Sequence, residues 1–552
     1  MSWVKERRTK SEFHHHYSVH AHLTKMDINM DIGKILWSAI RGVSAVALIG
    51  LLYILAKAIY LVTFHPYARY PGPFPAKFTN FYAAYHSWKG DLHVDIWRCH
   101  EKYGDRVRYA PDRLLINTAQ AVKDIYGREH GLTKSSAYEA VMPRSVANTM
   151  TLRDKKEHAR RRRILAAGFS DAAIRSYEPK ARAIVNRLCK VLGPTSTQAE
   201  KGDWSESRDL APWSNYVFFD LANDIIFGQD WNCIENEKNR EVIDAIPITN
   251  IRAGVLSNAP EIKWKRFDKK LFIPSIIARG KFIMFIKETV YKKVMEKEKK
   301  SDIFSTLVHS RDEESGTQLT QAELAAETAN LISAGSDTSS TTLAALFFYL
   351  SRYPDAYRKV ADEVRCVFPA PADVTLGPAL HTCIYLRACL DEALRLAPAV
   401  ASAPWREVLT GGAMIDGCYI PAGYDVGLGI YSIHHNEKYF SEPFKFRPER
   451  WLLGPGSNTT REEFDRARAA FNPFSVGPRS CIGKGLAMAE IMFIMATVLV
   501  SFDFKRAEGD TGALGEGDPS QGYGRHRRDE YQMIDHVICS KEGPVLEFRK
   551  RV

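Results

Sequence analysis

Between about residues 80 and 500, apolar residues recur at spacings of three and four, a pattern that predicts a chain dominated by long amphipathic helices. One helix is expected from about Gln321 to Leu350. Another is expected where Leu486, Ala487, Met488, Ala489, Ile491, Met492 and Phe493 crowd together. Strand-like pieces are short: Arg106–Tyr109, Leu114–Asn117, Ala413–Ile415 and Cys418–Ile420. Asp416-Gly417, between the last two, reads as a hairpin turn. Residues 508–530, rich in Gly, Asp, Arg and Pro, read as a mobile surface insertion. No internal repeat is visible. The fold class that follows is mainly α, of the α+β kind, with small peripheral sheets.

Two stretches near the N-terminus break the amphipathic pattern. Val43 to Phe64 is apolar with Lys57 as its one charge. About 20 such residues span a bilayer core, and a lysine near the end can snorkel to the interface. A cleaved signal peptide would be shorter and would carry a small-residue cleavage site. Lys34 and Arg41 on one side balance Arg69 and Lys77 on the other, so positive charge does not fix the orientation. Four prolines from Pro66 to Pro75 then make a stiff connector. The organisation expected is a polar extension over 1–35, a transmembrane anchor over 36–64, a Pro-rich hinge over 65–78 and one catalytic domain over 79–552. Met26 and Met30, just ahead of the anchor, are alternative starts to Met1. His14-His15-His16 is too short to mark a tag or a metal site.

Composition narrows the classes. The chain has 552 residues, 45% of them hydrophobic, enough for a large core, and a formal charge of +11. The basic residues are spread along the chain without a nucleic-acid motif, so no nucleic-acid partner is expected. Nine cysteines, an odd and scattered set without Cys-x-x-Cys, indicate neither a disulfide framework nor a zinc site, and suit a reducing compartment. Asn458-Thr459-Thr460 is a glycosylation sequon that a cytosolic domain would leave unmodified.

The chemistry concentrates in a few motifs. Phe474-Ser-Val-Gly477-Pro-Arg479-Ser-Cys481-Ile-Gly483 sets one thiol in a glycine-flanked turn at the mouth of an apolar helix, where the helix dipole favours thiolate. The plain alternative is a buried free cysteine. Ala334-Gly335-Ser336-Asp337-Thr338-Ser339 lies inside the 321–350 helix. There Gly335 weakens the helix and Thr338 and Ser339 can bond back to carbonyls, so that the segment can bulge and admit water. Alternatively it is a helix face for close packing. Glu392 and Arg395 share one helical face among leucines, and Phe446 to Trp451 offers polar partners. Lys155, Lys156, Arg160, Arg161 and Arg163 form a basic run, either a solvated face or a docking surface for an acidic electron donor.

Phe474 to Gly483 matches every specified position of Phe-x-x-Gly-x-Arg-x-Cys-x-Gly, and the chain from about Leu36 onward resembles the cytochrome P-450 superfamily. The resemblance implies a long-helix bundle around heme b (iron protoporphyrin IX), with Cys481 as the iron ligand and Arg479 on a haem propionate. Phe474 would pack near the sulfur, and Gly477 and Gly483 would hold the turn open. Arg406, after Pro404-Trp405, and His158 with Arg162, where His replaces the family's Trp, would clamp propionates. Thr338 would bond the oxygen being activated and Asp337 would relay protons. Glu392, Arg395 and Arg450 would form a structural triad.

The activity implied is a monooxygenase that inserts one atom of O2 into a lipophilic small molecule, fed by an NADPH-dependent flavoprotein reductase. The chain shows no flavin or dinucleotide fingerprint of its own. Substrate contacts would come from about Ser135–Val146, with Tyr138 and Met142, and from Ile248–Trp264, Leu331–Thr338, Ala399–Pro404 and Val537–Ile538. Arg162-x-Ile164, Asp337-Thr338-Ser339 and Tyr431-Ser-Ile-His434-His435-Asn436 look most like fungal members, many of which tailor secondary metabolites. The family's microsomal type implies a single-pass endoplasmic reticulum protein with a cytosolic catalytic domain. Two alternatives differ in observable ways. A haem-thiolate isomerase or dehydratase would not need NADPH. A non-catalytic haem-binding membrane protein would bind CO but form no product.

Overall fold

The computed structural model describes residues 5–127, 131–140, 146–195, 202–295, 302–454 and 457–551. The chain divides into two compact units, Met1–Arg69 and Tyr70–Val552. The first is one helix, α1 (Lys5–Thr63), so the polar extension and the apolar anchor are continuous in backbone. Its Lys34–Thr63 portion is long and apolar enough to cross a membrane. Val43, Val46, Ile49 and Leu51 stand exposed on it.

The second unit begins within the expected hinge. Arg108 N donates to the Pro71 carbonyl at 2.8 Å, and Pro75–Lys77 forms a short 3-10 turn. The hinge residues from Tyr70 onward therefore belong to the catalytic unit. Six helices position the site: α2 (Lys155–Ala166), α3 (Leu210–Phe227), α4 (Arg240–Asn258), α5 (Gln321–Arg352), α6 (Ile384–Leu396) and α7 (Lys484–Ser501). Helix α5 starts at a reciprocal cap: Thr320 N donates to Glu323 Oε2 at 2.8 Å and Glu323 N to Thr320 Oγ1 at 3.3 Å. From Thr341 to Leu350 it is buried on every side, as expected of a helix apolar all round at the centre of a large core. It packs along α3 and against α6 and α7. Helix α7 is equally apolar, and unlike the anchor it is buried from Glu490 to Val500.

The strands are β1 (Arg106–Ala110), β2 (Arg113–Ile116), β3 (Leu132–Lys134), β4 (Arg208–Asp209), β5 (Arg406–Val408), β6 (Ala413–Ile415), β7 (Cys418–Ile420), β8 (Asp425–Gly427), β9 (Phe502–Arg506), β10 (Met533–Asp535), β11 (Cys539–Lys541) and β12 (Val545–Lys550). The largest sheet has the order β1-β2-β8-β5-β3, and the others are β4-β12-β9, β6-β7 and β10-β11. In the β6–β7 hairpin Ile415 pairs with Cys418, and Asp416 and Gly417 both have positive φ, 46° and 72°. A two-residue turn of that hand matches the strand twist.

Two expectations are corrected. Residues 508–530 are not a mobile insertion: Arg525 Nη2 donates to the carbonyls of Gly90 (3.1 Å) and Met533 (2.9 Å). Arg527 lies over the Phe444 ring, and the buried Glu530 accepts from Tyr431 Oη. The charges that make this segment look solvated are its anchors. Nor does the Asp337 region bulge, since α5 is continuous through it. Thr338 Oγ1 donates to the Ala334 carbonyl at 2.6 Å and Ser336 Oγ to the Ile332 carbonyl at 2.7 Å, so the hydroxyls are bonded into the helix.

The Glu392 cluster is a buried ionic knot. Glu392, fully buried, accepts five hydrogen bonds: from Arg395 Nε and Nη2 (2.9 and 2.8 Å), Arg450 Nε (2.9 Å), Trp451 Nε1 (2.9 Å) and Arg447 N (3.0 Å). Arg395 also donates to the carbonyls of His434, Pro443 and Lys445. Burial alone would raise the Glu392 pKa, but Arg395 and Arg450 outweigh it and hold it at about 2.

Candidate functional site

Cys481 sits between a 3-10 turn, Gly477–Arg479, and the start of α7. Its N–H donates to the Phe474 carbonyl at 2.9 Å, closing the loop. The backbone N–H groups of Gly483 and Lys484 point at its sulfur. The residue is exposed by surface area yet recessed in the protein, so burial pushes its thiol pKa up, while those amides and the Arg162 guanidinium pull it back. Two amide donors and a helix N-terminus are what a metal-bound thiolate requires. Gly477 is fixed by geometry: its φ is 75°, and a Cβ there would lie 2.3 Å from the Tyr126 carbonyl oxygen. Gly483 differs. Its φ is ordinary, and a Cβ would make only van der Waals contact, 3.9 Å from Cys481 Sγ. No protein atom demands glycine at 483, and the turn does not depend on it for its conformation. Phe474 is half-buried, packs on the main core and lies under Lys484 Nζ.

Around this loop gathers a set of cations from four separate parts of the chain. Lys134 on β3 pairs in register with Arg406 on β5. His158 and Arg162 stand one turn apart on α2, and Arg479 lies in the cysteine loop. Their charges act on one another: burial first, then Arg479, Lys134, Arg162 and Arg406, hold His158 at a pKa of about 3, so it is a neutral hydrogen-bond donor at physiological pH. Burial and the same arginines push Lys134 well below the usual lysine range. The hydrogen-bond partners are neutral oxygens. Lys134 Nζ donates to the carbonyls of Thr149 (2.9 Å) and Met150 (2.6 Å), and Arg406 Nη1 to those of Pro404 (3.3 Å) and Trp405 (3.2 Å). Arg479 donates to the carbonyls of Leu152 (2.7 Å) and Arg153 (3.0 Å). Arg162 Nη1 donates to the Ser480 carbonyl at 2.5 Å, so it also braces the cysteine loop.

Among the described residues no carboxylate lies within ion-pair distance of Lys134, Arg162 or Arg406. Buried cations without counter-charge are costly, and their grouping fits an acidic ligand. A flat apolar macrocycle with two carboxylates, seated beside a thiol, matches this donor set. Haem therefore fits the residues present. Lys134 was missed in the sequence because a single lysine in a short strand carries no local signal; only its register with Arg406 gives it meaning.

The second group stands on α5. Asp337 is buried, and burial raises its pKa, against the pull of Lys541 and of Asn250, whose Nδ2 donates to Asp337 Oδ2 at 3.3 Å. Asp337 and Thr338 make no hydrogen bond or ion pair with the cation set among the described residues; α5 packs on α7, the helix that follows the cysteine loop. Of the expected substrate segments, Ala399 and Ala401 are buried. Val537 caps the β10–β11 hairpin with φ 132°, a conformation a β-branched side chain resists, and such strain is concentrated at functional sites. Met142 lies outside the described residues.

In the basic run on α2, Lys156 stands exposed, whereas the three arginines are paired within the fold. Arg160 pairs with Glu157 (2.8 Å) and Glu323 (3.2 Å). Arg161, buried, pairs with Glu157, Glu323 and Glu327. Arg163 pairs with Asp312 (2.7 Å) and Glu314 (2.9 Å). These arginines bind α2 to α5 and to the segment before it.

Residues 70–516 match the family model described as Cytochrome P-450. Cytochrome P-450 monooxygenase poxM of Penicillium oxalicum is 46% identical over 91% of this chain and 93% of its own length. The Alternaria alternata monooxygenase AKT7 is 43% identical over 90% of this chain and 95% of its own. The atnE monooxygenase of Emericella nidulans is 40% identical over the same shares.

Proposed function

The chain belongs to the cytochrome P-450 family and is a haem-thiolate monooxygenase, and from that premise we propose how its own residues serve the reaction. Cys481 is the iron ligand. Its negative charge is supported by the Gly483 and Lys484 amides, by Arg162 and by the N-terminus of α7. Lys134, His158, Arg162, Arg406 and Arg479 hold the propionates. When bound, the haem activates O2, so that one oxygen atom enters the substrate and the other leaves as water, at the expense of two electrons and two protons. Asp337 passes protons inward from the Asn250 side. The Thr338 hydroxyl, which donates to the Ala334 carbonyl, would donate instead to the oxygen being activated. Ala399, Val400, Ala401 and Val537 form an apolar wall that keeps bulk water from the reacting atoms.

The observation that carries this reading is the set of five basic side chains converging on the cysteine loop, three of them with no carboxylate within ion-pair distance among the described residues. Members of the family take electrons from a redox partner and act on lipophilic molecules. Here we assign the electrons to an NADPH-dependent flavoprotein reductase and the substrate to fungal secondary metabolism. We assign the Lys34–Thr63 portion of α1 as the single span in the endoplasmic reticulum membrane, with Tyr70–Val552 in the cytosol, a compartment that suits nine free cysteines. The test is reconstitution of the full chain with such a reductase, NADPH and an extract of candidate metabolites. Mass spectrometry should find a product heavier by one oxygen atom, labelled from 18O2. Product formed without NADPH would overturn the reading.

A further inference from the structure

Helix α5 meets the C-terminal strand pair at the turn that carries Asp337. Thr341 Oγ1 donates to the carbonyls of Asp337 (3.0 Å) and of Cys539 at the start of β11 (2.9 Å). Ser340 Oγ donates to the same Asp337 carbonyl at 2.9 Å and accepts from Lys541 Nζ at 2.7 Å. Lys541, at the end of β11, also donates to Asn215 Oδ1 on α3 at 2.5 Å. The ammonium is thus gripped by two neutral oxygens from two helices. The Asp337 carboxyl is held by a neutral amide from a third, Asn250 on α4.

Two opposite charges in one buried region, Asp337 and Lys541, feel each other without touching. Among the described residues neither has an ion-pair partner within contact distance. A direct ion pair would hold the carboxylate ionised and close it to proton transfer. A cation held by Ser340 and Asn215 beside the turn of Asp337, but off its carboxyl, biases that group and leaves it able to take up and release a proton. Resting on the proton-relay role assigned above to Asp337, we propose that Lys541 is a positioning residue for proton delivery: its charge, fixed by Ser340 and Asn215 instead of by an ion pair, tunes proton transfer through Asp337.

The surrounding groups agree. From α3 comes Asn215, from β4 the more distant Asp209, from α4 Asn250, from α5 Ser340 and Thr341, and from β11 Cys539, whose thiol burial keeps neutral. Among the described residues Lys541 is the cation that acts on Asp337. Burial lowers the lysine to about 8, against the pull of Asp337 and Asp209, so its charge is present at neutral pH and is lost just above it.

The test uses the holoenzyme with its reductase, NADPH and O2 alone, and reads the fraction of electrons released as hydrogen peroxide against pH. Asp337→Asn defines the part of the curve that depends on the carboxyl. Lys541→Met should move that part upward by about one pH unit, because a carboxyl without its nearby cation keeps its proton to higher pH. Lys541→Arg should hold the wild-type position at neutral pH and lose the wild-type change above pH 8, since guanidinium does not titrate there. A second readout needs no turnover. In urea unfolding at neutral pH, the loss caused by Lys541→Met should shrink when Asp337 is already Asn. A curve unmoved in Lys541→Met, or Lys541→Arg indistinguishable from wild type at every pH, or an unfolding loss equal in both backgrounds, would overturn the proposal. If Lys541→Met does not fold, Lys541→Arg decides. Absence of NADPH-dependent oxygen consumption in the wild type would count against the electron source assigned above, and the unfolding comparison would still stand.

Discussion

Replacing Glu392 by Gln keeps the size of the side chain and removes its charge, and the structure sets the cost. Oε1 accepts from Arg395 Nη2, Arg450 Nε and Arg447 N, and Oε2 from Arg395 Nε and Trp451 Nε1. A glutamine has one acceptor oxygen, so either orientation turns an NH2 group against at least two buried donors. It also leaves Arg395 and Arg450 charged and buried without a counter-ion. Breaking a buried pair from one side costs about 3–5 kcal/mol. The pKa points the same way: Arg395 and Arg450 hold the Glu392 carboxyl below its usual 4.5 in the fold, so its charged form stabilises the folded state. Because the folded value is depressed, this stability is fully present above pH 4.5 and is lost as pH falls toward about 2. Urea unfolding followed by haem absorbance should show E392Q less stable by about 3–5 kcal/mol at neutral pH. The gap to wild type should narrow as pH drops through that window, and turnover per bound haem should be unchanged. E392Q as stable as wild type, or wild-type stability with turnover lost, would refute the assignment of this cluster to folding and haem retention.

Three further perturbations separate the parts of the site. Gly477→Ala forces a Cβ to 2.3 Å from the Tyr126 carbonyl at positive φ; haem content per chain should fall, with a stability loss above the ~1–2 kcal/mol of a left-handed alanine, whereas normal haem content would contradict the geometry. Thr338→Ala loses only the bond to Ala334 and should fold and bind haem as wild type while the peroxide fraction rises severalfold; full coupling would remove Thr338 from the reaction. Lys134→Met should release haem to a scavenger about tenfold faster, the equivalent of one charged hydrogen bond, while the haem-free chain gains stability because a crowded buried cation is gone; unchanged release would remove Lys134 from the propionate set.

What was legible in the sequence was local. The cysteine loop and the Asp416-Gly417 hairpin each write their geometry into a dozen residues or fewer, and α5 and the apolar α7 show in the spacing of their own apolar residues. What was not legible depends on partners far along the chain. The arginines of α2 read as a surface because Glu323, Glu327 and Asp312, which neutralise them, lie in another segment. Residues 508–530 read as a loose insertion because Gly90, Phe444 and Tyr431, which hold them, are equally distant. Lys134, Asn250 and Lys541 were missed for the same reason: each is an ordinary residue until the fold sets it beside Arg406 or Asp337. Gly483 is a different case: its φ is ordinary, so its own backbone does not call for glycine.

The central claim is that Cys481 holds the haem iron as a thiolate, and the reduced carbon monoxide difference spectrum of the full chain tests it most directly. Wild type should give the band of a thiolate-ligated haem. Cys481→Ser, with the loop and cation set intact, should retain bound haem but lose that band, because a hydroxyl is a poor axial donor. A thiolate-type band that survives in Cys481→Ser, or that is missing from haem-loaded wild type, would contradict the account.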